Sequence, residues 1–526
     1  MSKELDFVVF GATGFTGQFV VEELAVCTEN KDYKWAVAGR NVQKLRKVLS
    51  EASDAVGRNL RDLTILEVDI SNEAQIADMA KRAKCIINCV GPYRLYGESV
   101  VRLATEHGAD HVDISGEPEY LERTQQLYSD AARNSGVYVV GACGFDSVPC
   151  DLGVVKVKAL FETQLHSVET VLQIHPSDHG WLGYALNDGT YQSAILGISN
   201  RGDLKPIRRQ IMPRRMPQLG EKLAKRVPLT YHEAARAYVV PFLGSDKAVV
   251  GRTLYYNFVE HEETPFQVQC YARHTSWFWT ALSTLWGVLF ATMAMLKPTR
   301  WLLQRYPDYC SFGMFKKNGP SKEQDAVKFD EKPTKKLQLR VTGPDPGYVL
   351  TSRCLVACAL TLKEDRESLP KEGGVYTPGA AFERTKIFDR LEERQIKFER
   401  VAHAGGSKDF IHKRSFEQAK LRRFAKRRAL QQEPSLVEKR EAAGFVDGPD
   451  LLAEEFDLRK RNTGPKILKA AYDLKKRGLK SLLAKQSRKM QEMETALEAT
   501  EELLKWAHDN EQALDDPGLE LLMKQS

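Results

Sequence analysis

Three glycines, Gly11, Gly14 and Gly17, recur every third residue directly after an apolar run that begins at Phe7. Glycine lets a backbone turn tightly and come close to a pyrophosphate. A helix starting in the same loop adds free N–H donors and a partial positive charge. The loop Gly11-Ala12-Thr13-Gly14-Phe15-Thr16-Gly17 is therefore a candidate phosphate cradle for a dinucleotide. The chemistry that follows is hydride transfer, which also needs a ribose reader, a nicotinamide-side loop and a proton donor.

Candidates for each lie further along the chain. Arg40, in Ala38-Gly39-Arg40-Asn41, stands where an NAD site carries an acid for the ribose 2′-OH. A guanidinium there pairs with a 2′-phosphate in a forked geometry, which favours NADPH over NADH; a solvated or adenine-stacked arginine is the other reading. Asp69 can accept from the adenine amino group or cap the next helix. In Gly91-Pro92-Tyr93, the glycine admits a nicotinamide ribose, and Tyr93 can stack on the ring, give a proton or simply pack. The proton-donor set is Tyr93, Ser115, Glu117, Asp146 and Ser147, with Tyr93, Ser115 and Asp146 as the catalytic candidates. Asp146 and Ser147 equally suit a helix cap.

These residues need elements to hold them. Strand-like runs at Phe7–Phe10, Trp35–Ala38, Leu63–Val68, Cys85–Val90, His111–Ile114 and Val137–Val140 alternate with amphipathic stretches. The latter are Gly17–Leu24, Val42–Ser50, Glu73–Arg82, Glu98–His107 and Glu119–Asn134. Such alternation predicts an α/β domain with a parallel sheet covered on both faces, over 1–150. Residues 151–350 are broken by prolines and predict a smaller α+β domain, with strands at Val168–Ile174 and Thr253–Phe258. Residues 351–402 return, with a strand just before them at Leu337–Thr342 and helices at Val356–Leu362 and Arg384–Glu393. Residues 403–526 form a charged tail.

Within the second zone, Trp277–Leu296 is uncharged over twenty residues, with Trp277, Trp279 and Trp301 near its ends. That length as a helix reaches about 30 Å, the thickness of a hydrocarbon core. Crossing would separate flanking parts that look like one fold, so insertion into one leaflet or a lipid-droplet monolayer is expected. The tail carries 23 Lys+Arg against 11 Asp+Glu over 403–489, then 2 against 10 over 490–526. One long helix with a weak heptad seam, a coiled coil, is expected within about 466–513. No aromatic platform interleaves its basic runs, so RNA binding by the tail is not expected.

Composition bounds the rest. At 526 residues, 42% hydrophobic and 28% charged, the chain is too long for one domain and excludes a disordered, collagen-like or multi-span class. Nine cysteines in 526 residues do not make a disulfide scaffold, the lack of a C-x-x-C pair excludes classical zinc and thioredoxin-type sites, and no histidine–acid spacing suggests a metal. Neither a signal peptide nor an Arg-rich presequence is read at the N-terminus, so a cytosolic start is expected.

The segments GATGFTGQFVVEEL, WAVAGRN, INCVGPYRLYGESVV, DISGEPEYL, GFDSVPCDLG and GGVYTPGAAF together resemble the saccharopine dehydrogenase-like oxidoreductases, over about residues 5–402. The resemblance implies a doubly wound Rossmann domain with an inserted substrate and dimerisation domain, and a C-terminal part around Gly373–Phe382 packing near the cofactor domain. It implies phosphate binding at Gly11, Gly14 and Gly17, the ribose position at Arg40, and the nicotinamide side at Gly91, Pro92 and Tyr93. The apolar segment matches the lipid-droplet-associated animal branch, and a bacterial branch resembles trans-acting enoyl reductases of glycolipid biosynthesis. An apolar alkene or carbonyl substrate is the expectation, at the cytoplasmic face of lipid droplets, the endoplasmic reticulum or the mitochondrial outer surface. A second copy of the chain is a candidate partner. A catalytically silent lipid-surface scaffold, or a fusion whose basic tail binds RNA or an assembly partner, are the alternatives.

Overall fold

Every residue of the first strand, β1 (Leu5–Phe10), is buried, so it is covered on both faces. Phe7 and Val9 point into one core with helix α1 (Phe15–Cys27) and α2 (Val42–Val56); Val8 and Phe10 point into another with α3 (Glu73–Arg82) and α4 (Tyr93–Glu106). The computed structural model describes residues 3–401 except 174–185, 200–203, 219, 224–225, 228, 233–234, 236, 243, 275, 306–309, 311–314, 317–336 and 346. The charged tail and its expected helix lie outside the described residues.

Around β1 stand β2 (Trp35–Gly39), β3 (Thr64–Glu67), β4 (Ala83–Asn88), β5 (Asp110–Asp113) and β6 (Tyr138–Val140). With a late strand, β14 (Gly374–Tyr376), at one edge, the sheet order is β14-β6-β5-β4-β1-β2-β3, with every pair parallel. Helices α5 (Pro118–Ser135) and α6 (Val148–Leu160) follow β5 and β6. The order reverses between β1 and β4, which is where open α/β sheets bind ligands beyond the carboxyl ends of their strands. The doubly wound Rossmann expectation is therefore met.

A second sheet has the order β7-β11-β10-β9, formed by β7 (Ser167–Leu172), β9 (Thr230–His232), β10 (Ala237–Pro241) and β11 (Gln267–His274). β7 and β11 run parallel and the other pairs antiparallel. Short β8 (Leu186–Asn187) and β12 (Phe315–Lys316) pair with each other. Helices α7 (Asp188–Ser199), α8 (Leu204–Ile211), α9 (Asp246–Glu260), α10 (Trp277–Met295) and α11 (Lys297–Arg305) complete this part.

The expected strand at Thr253–Phe258 is wrong: these residues lie in α9. Thr253, Tyr255, Tyr256 and Phe258 have strand-like side chains, but burial falls on Asp246, Val249, Val250, Arg252, Thr253, Leu254, Tyr255 and Asn257, which includes the three-and-four spacing of a helix face at 246, 249, 250, 253, 254 and 257. Tertiary packing overrode local propensity.

The return segment starts with β13 (Gln338–Thr342), which pairs with β15 (Lys397–Val401). Between them α12 (Val349–Glu364) is buried along almost its whole length and packs into the core shared with α1. Strand β14 (Gly374–Tyr376) joins the large sheet itself beside β6, with Gly374 opposite Tyr138. Helices α13 (Pro378–Phe382) and α14 (Ile387–Glu393) follow.

Candidate functional site

At the crevice, β1 passes into the glycine loop. Gly11 has φ +86°, and a Cβ there would lie 2.8 Å from Val90 Cγ2 and 3.1 Å from the Cys89 carbonyl carbon. Only glycine lets β1 turn this close to the end of β4. The Gly14 amide donates to the Gly11 carbonyl at 2.9 Å, and Gly14 is the N-cap of α1 with no side-chain cap. A Cβ on Gly17 would sit 2.2 Å from the Gly11 carbonyl oxygen, so the helix seats directly on the loop. A Cβ on Gly14 would meet only that oxygen, at 3.1 Å. Gly17 thus serves packing, whereas exposed Gly14 faces the space a ligand would take. The loop fits a pyrophosphate: the first turn of α1 is open and no acid lies in it. The Thr13 carbonyl accepts from Gln18 Nε2 at 3.4 Å. Thr16 lies half-buried in the first turn, and Phe15 packs edge-on against Tyr348, 4.4 Å between ring centres.

Arg40 directly follows β2, is exposed, and has neither hydrogen bond nor ion pair among the described residues. Its neighbour Asn41 caps α2 by accepting from the Lys44 amide at 2.9 Å. Asp69 accepts from the Ser71 hydroxyl at 2.7 Å and the Ser71 amide at 2.8 Å. Those bonds hold its carboxyl below the usual range, with the Arg40 charge contributing. Asp69 is therefore engaged in a local turn, while Arg40 is an exposed cation just beyond β2 with no hydrogen bond or ion pair among the described residues.

At the end of β4, Gly91 is exposed and Pro92 is the N-cap of α4. Tyr93 turns inward. Its hydroxyl donates to the Asn88 carbonyl at 2.9 Å and accepts from the Ile114 amide at 3.4 Å, and its ring lies 5.5 Å from that of Tyr120. Burial pushes its phenol well above the ordinary range. Glu117 accepts from the Tyr93 amide at 3.0 Å and the Arg94 amide at 3.1 Å, capping α4. The sequence puts Tyr93 in the loop after β4 but does not disclose this inward turn, which commits its hydroxyl to the Asn88 carbonyl.

Ser115 is buried; its hydroxyl accepts from the Glu117 amide at 3.2 Å and its amide donates to Asp113 at 2.9 Å. Asp146 is placed differently. It is half-buried, accepts from the Ser245 hydroxyl at 3.1 Å, and lines a small cavity with Cys150, Thr170, Leu172, Phe242 and Asp246. Ser147 shares the same Ser245 hydroxyl at 2.9 Å. A Cβ on Gly116 would lie 2.7 Å from the Asp146 carboxylate, so the loops after β5 and β6 meet there. Burial pushes Asp146 up to about 6. Of the three catalytic candidates, only Asp146 combines a carboxyl with a cavity. Ser245 and Asp246 were missed; the Ser-Asp pair opening a helix was the available signal.

The apolar helix α10 has two distinct faces. Thr280, Phe290 and Ala294 are buried, the latter two against Tyr191, Ile195 and Leu303. Phe278, Leu282, Leu285, Leu289 and Leu296 recur at helical spacing on the opposite side and are 45–68% exposed. It is the one helix among the described residues long and apolar enough to cross a membrane. Yet β11 before it and β13 after it belong to one compact unit, Met1–His403, and β14 completes the large sheet. A single crossing would pull that unit apart, and α11, nine residues or about 14 Å, is too short to bring the chain back. Among the described residues no cluster of His, Cys, Asp or Glu could hold a metal ion.

Comparison with known proteins agrees with this geometry. Residues 7–140 match the saccharopine dehydrogenase NADP binding domain, which gives the cofactor as NADP. A lipid droplet localized protein of Caenorhabditis elegans is 41% identical over 418 residues, covering 75% of this chain and 97% of that one. The human saccharopine dehydrogenase-like oxidoreductase is 40% identical over 419 residues, with the same coverage of 75% and 97%. A Mycobacterium tuberculosis protein named as a candidate trans-acting enoyl reductase is 38% identical over 152 residues, 29% of this chain and 35% of that one.

Proposed function

Because the chain belongs to the saccharopine dehydrogenase-like oxidoreductase family, we propose that it is an NADPH-dependent reductase acting on an apolar carbonyl or alkene at a lipid surface. The observation that carries the redox half is the open glycine loop at the β1–β4 switch point, with an exposed, unpartnered Arg40 at the end of the neighbouring strand β2. Gly11 and Gly14 leave room for the pyrophosphate, the α1 N-terminus supplies its donors, and Arg40 holds the 2′-phosphate. Gly91 and Pro92 border the nicotinamide side, and Asp69 orders the turn beneath the adenosine. NADPH bound there supplies a hydride to an electrophilic carbon. Asp146, on the loop after β6, lines a small cavity and is the candidate carboxyl of the proton-transfer site.

The lipid half rests on the exposed stripe of α10 on a helix whose two flanks stay on one side. The helix lies in one leaflet or a droplet monolayer rather than across a bilayer. The name of the nematode relative supports droplets as that surface. The mycobacterial relative's name supports reduction of a polarised alkene as readily as of a carbonyl.

The deciding experiment titrates NADPH and NADH into the full chain and into Arg40→Asp, then mixes the loaded protein with droplets of candidate lipids. NADPH-selective binding, lost in the variant, followed by NADPH oxidation is the expected outcome. Tight binding with no oxidation by any lipid class would leave a nucleotide-binding scaffold in its place.

A further inference from the structure

We propose that Asp246 and Asp146 form a carboxyl pair holding one proton in the cavity between α6, α9 and the four-stranded sheet, and that this proton goes to the oxygen of a neutral lipid carbonyl. The proposal deepens the reductase reading and rests on it for the hydride.

Asp246 is the first residue of α9, is only 7% exposed and lines the cavity, and its Oδ1 is buried without a hydrogen-bond partner. A buried carboxylate oxygen left without a donor is costly, and protonation removes that cost. Burial, reinforced by the nearby Asp146 charge and only partly offset by a hydrogen bond with the Cys150 thiol, pushes Asp246 well above the ordinary carboxylate range. The other titratable groups facing it are the buried Asp151 carboxyl and the Cys150 and Cys270 thiols; no lysine or arginine lines the cavity. Asp146 lies in a different environment. The Ser245 hydroxyl and the Ser245 amide both donate to its Oδ2 and favour its anion. The two carboxyls are thus pushed apart, one to keep a proton and one to lose it.

The cavity has room for about one water-sized group. Leu172, Phe242 and Pro149 make much of its wall. It suits a carbonyl oxygen and repels a carboxylate, since two acids and no cation meet whatever enters. The surrounding sheet gives the rest of the substrate its class. Cys270 is the register partner of Thr170, and Ala272 of Leu172. Strand alternation puts Cys270, Ala272 and His274 on one face. His274 Nε2 and Ser283 Oγ of α10 are 3.2 Å apart. The face that walls the cavity therefore reaches the base of the lipid-facing helix four residues on, about 13 Å.

The electron balance is complete. The hydride from NADPH forms the new C–H bond and the pair's proton forms the O–H bond. The carbonyl becomes an alcohol, and NADPH becomes NADP⁺. Asp146, the more exposed of the two, restores the proton to Asp246 from solvent.

The test is difference infrared spectroscopy of the full chain with NADP⁺ at about pH 8, where ordinary carboxyls are ionised. The protein should show a protonated carboxyl band that Asp246→Asn removes. A long-chain methyl ketone should shift that band, and the fatty carboxylate of the same length should not. Ketone affinity should fall at least tenfold in Asp246→Asn. A missing band, a band that survives Asp246→Asn, or a band unmoved by the ketone each overturns the proposal. Should Asp246→Asn fail to fold, Asp146→Asn decides: removing the neighbouring charge must lower the pH at which the band disappears, and an unchanged midpoint overturns the pair. NADPH titration of the same samples keeps the two readings apart. Binding should be unchanged in both variants, and a wild type that binds no NADPH refutes the reductase reading whatever the band does.

Discussion

Replacing Leu285 and Leu289 together by aspartate attacks the lipid-facing stripe without touching the core. The two side chains are 68% and 57% exposed. Complete burial of a leucine is worth roughly 1.5–3 kcal/mol, so lipid insertion of the exposed portions contributes about 1–2 kcal/mol each. An aspartate at the middle of a span costs about 2.5–3.5 kcal/mol, and a helix in one leaflet reaches part of that depth, so about half applies. The pair should therefore weaken lipid partition by at least about 4 kcal/mol, on the order of a thousandfold. Neither residue packs against Tyr191, Phe290 or Leu303 in the buried cluster, so thermal stability should change by less than about 1 kcal/mol in all. Flotation of the full chain with phospholipid-coated triolein droplets measures the first, and circular dichroism melting the second. Unchanged flotation refutes the lipid role of the stripe. Lost flotation accompanied by a large drop in melting temperature, or by dissociation of a dimer, would mean that protein rather than lipid covers it.

Three further outcomes follow from the crevice and the core. Gly14→Ala should weaken NADPH binding at least tenfold with little change in melting, whereas Gly17→Ala, whose Cβ meets a backbone oxygen at 2.2 Å, should lose about 2–3 kcal/mol of stability by denaturant titration; equal melting of the two variants would contradict this division. Arg40→Asp should shift the ratio of NADPH to NADH affinity at least tenfold toward NADH by calorimetry, and an unchanged ratio removes Arg40 from the site. Asp151 is fully buried, and burial pushes it up to about 6, above its unfolded value near 3.9. Its contribution is thus fully present below about pH 4 and lost as pH rises through about 6, so Asp151→Asn should gain about 2 kcal/mol relative to wild type between pH 4 and 7; a constant difference across that range would contradict the buried-acid assignment.

How much of this was legible depends on where the information lies. The glycine loop was readable because its residue types are demanded by local geometry: Gly11 by its positive φ and Gly17 by a backbone contact. Arg40 was readable because a strand end in a βαβ chain fixes its place. Strands β1, β2, β4 and β6 were visible as apolar runs because burial on both faces leaves little polar alternation. Helix α9 was misread because its β-branched and aromatic residues speak for a strand in isolation, and only the second sheet selects the helical spacing. The inward turn of Tyr93 was hidden because it depends on Glu117, twenty-four residues away, reaching back to the α4 amides. The Asp146–Asp246 cavity was invisible for the same reason at a separation of one hundred residues. Strand β14, three residues long, is too short to carry a periodic signal at all.

That last strand has a consequence for how the protein is born. β14 is synthesised some eighty residues after Leu296, yet it forms the edge of the first domain beside β6. At about 5–20 residues per second, the ribosome spends roughly 4–16 s between releasing the apolar helix and supplying the strand that seals the sheet. Throughout that interval the nascent chain presents an exposed apolar helix on a domain whose β6 edge is still bare. Capture by a lipid surface and closure of the sheet therefore compete in time. A ribosome-stalled chain ending near residue 330 should float with droplets before it acquires protease resistance.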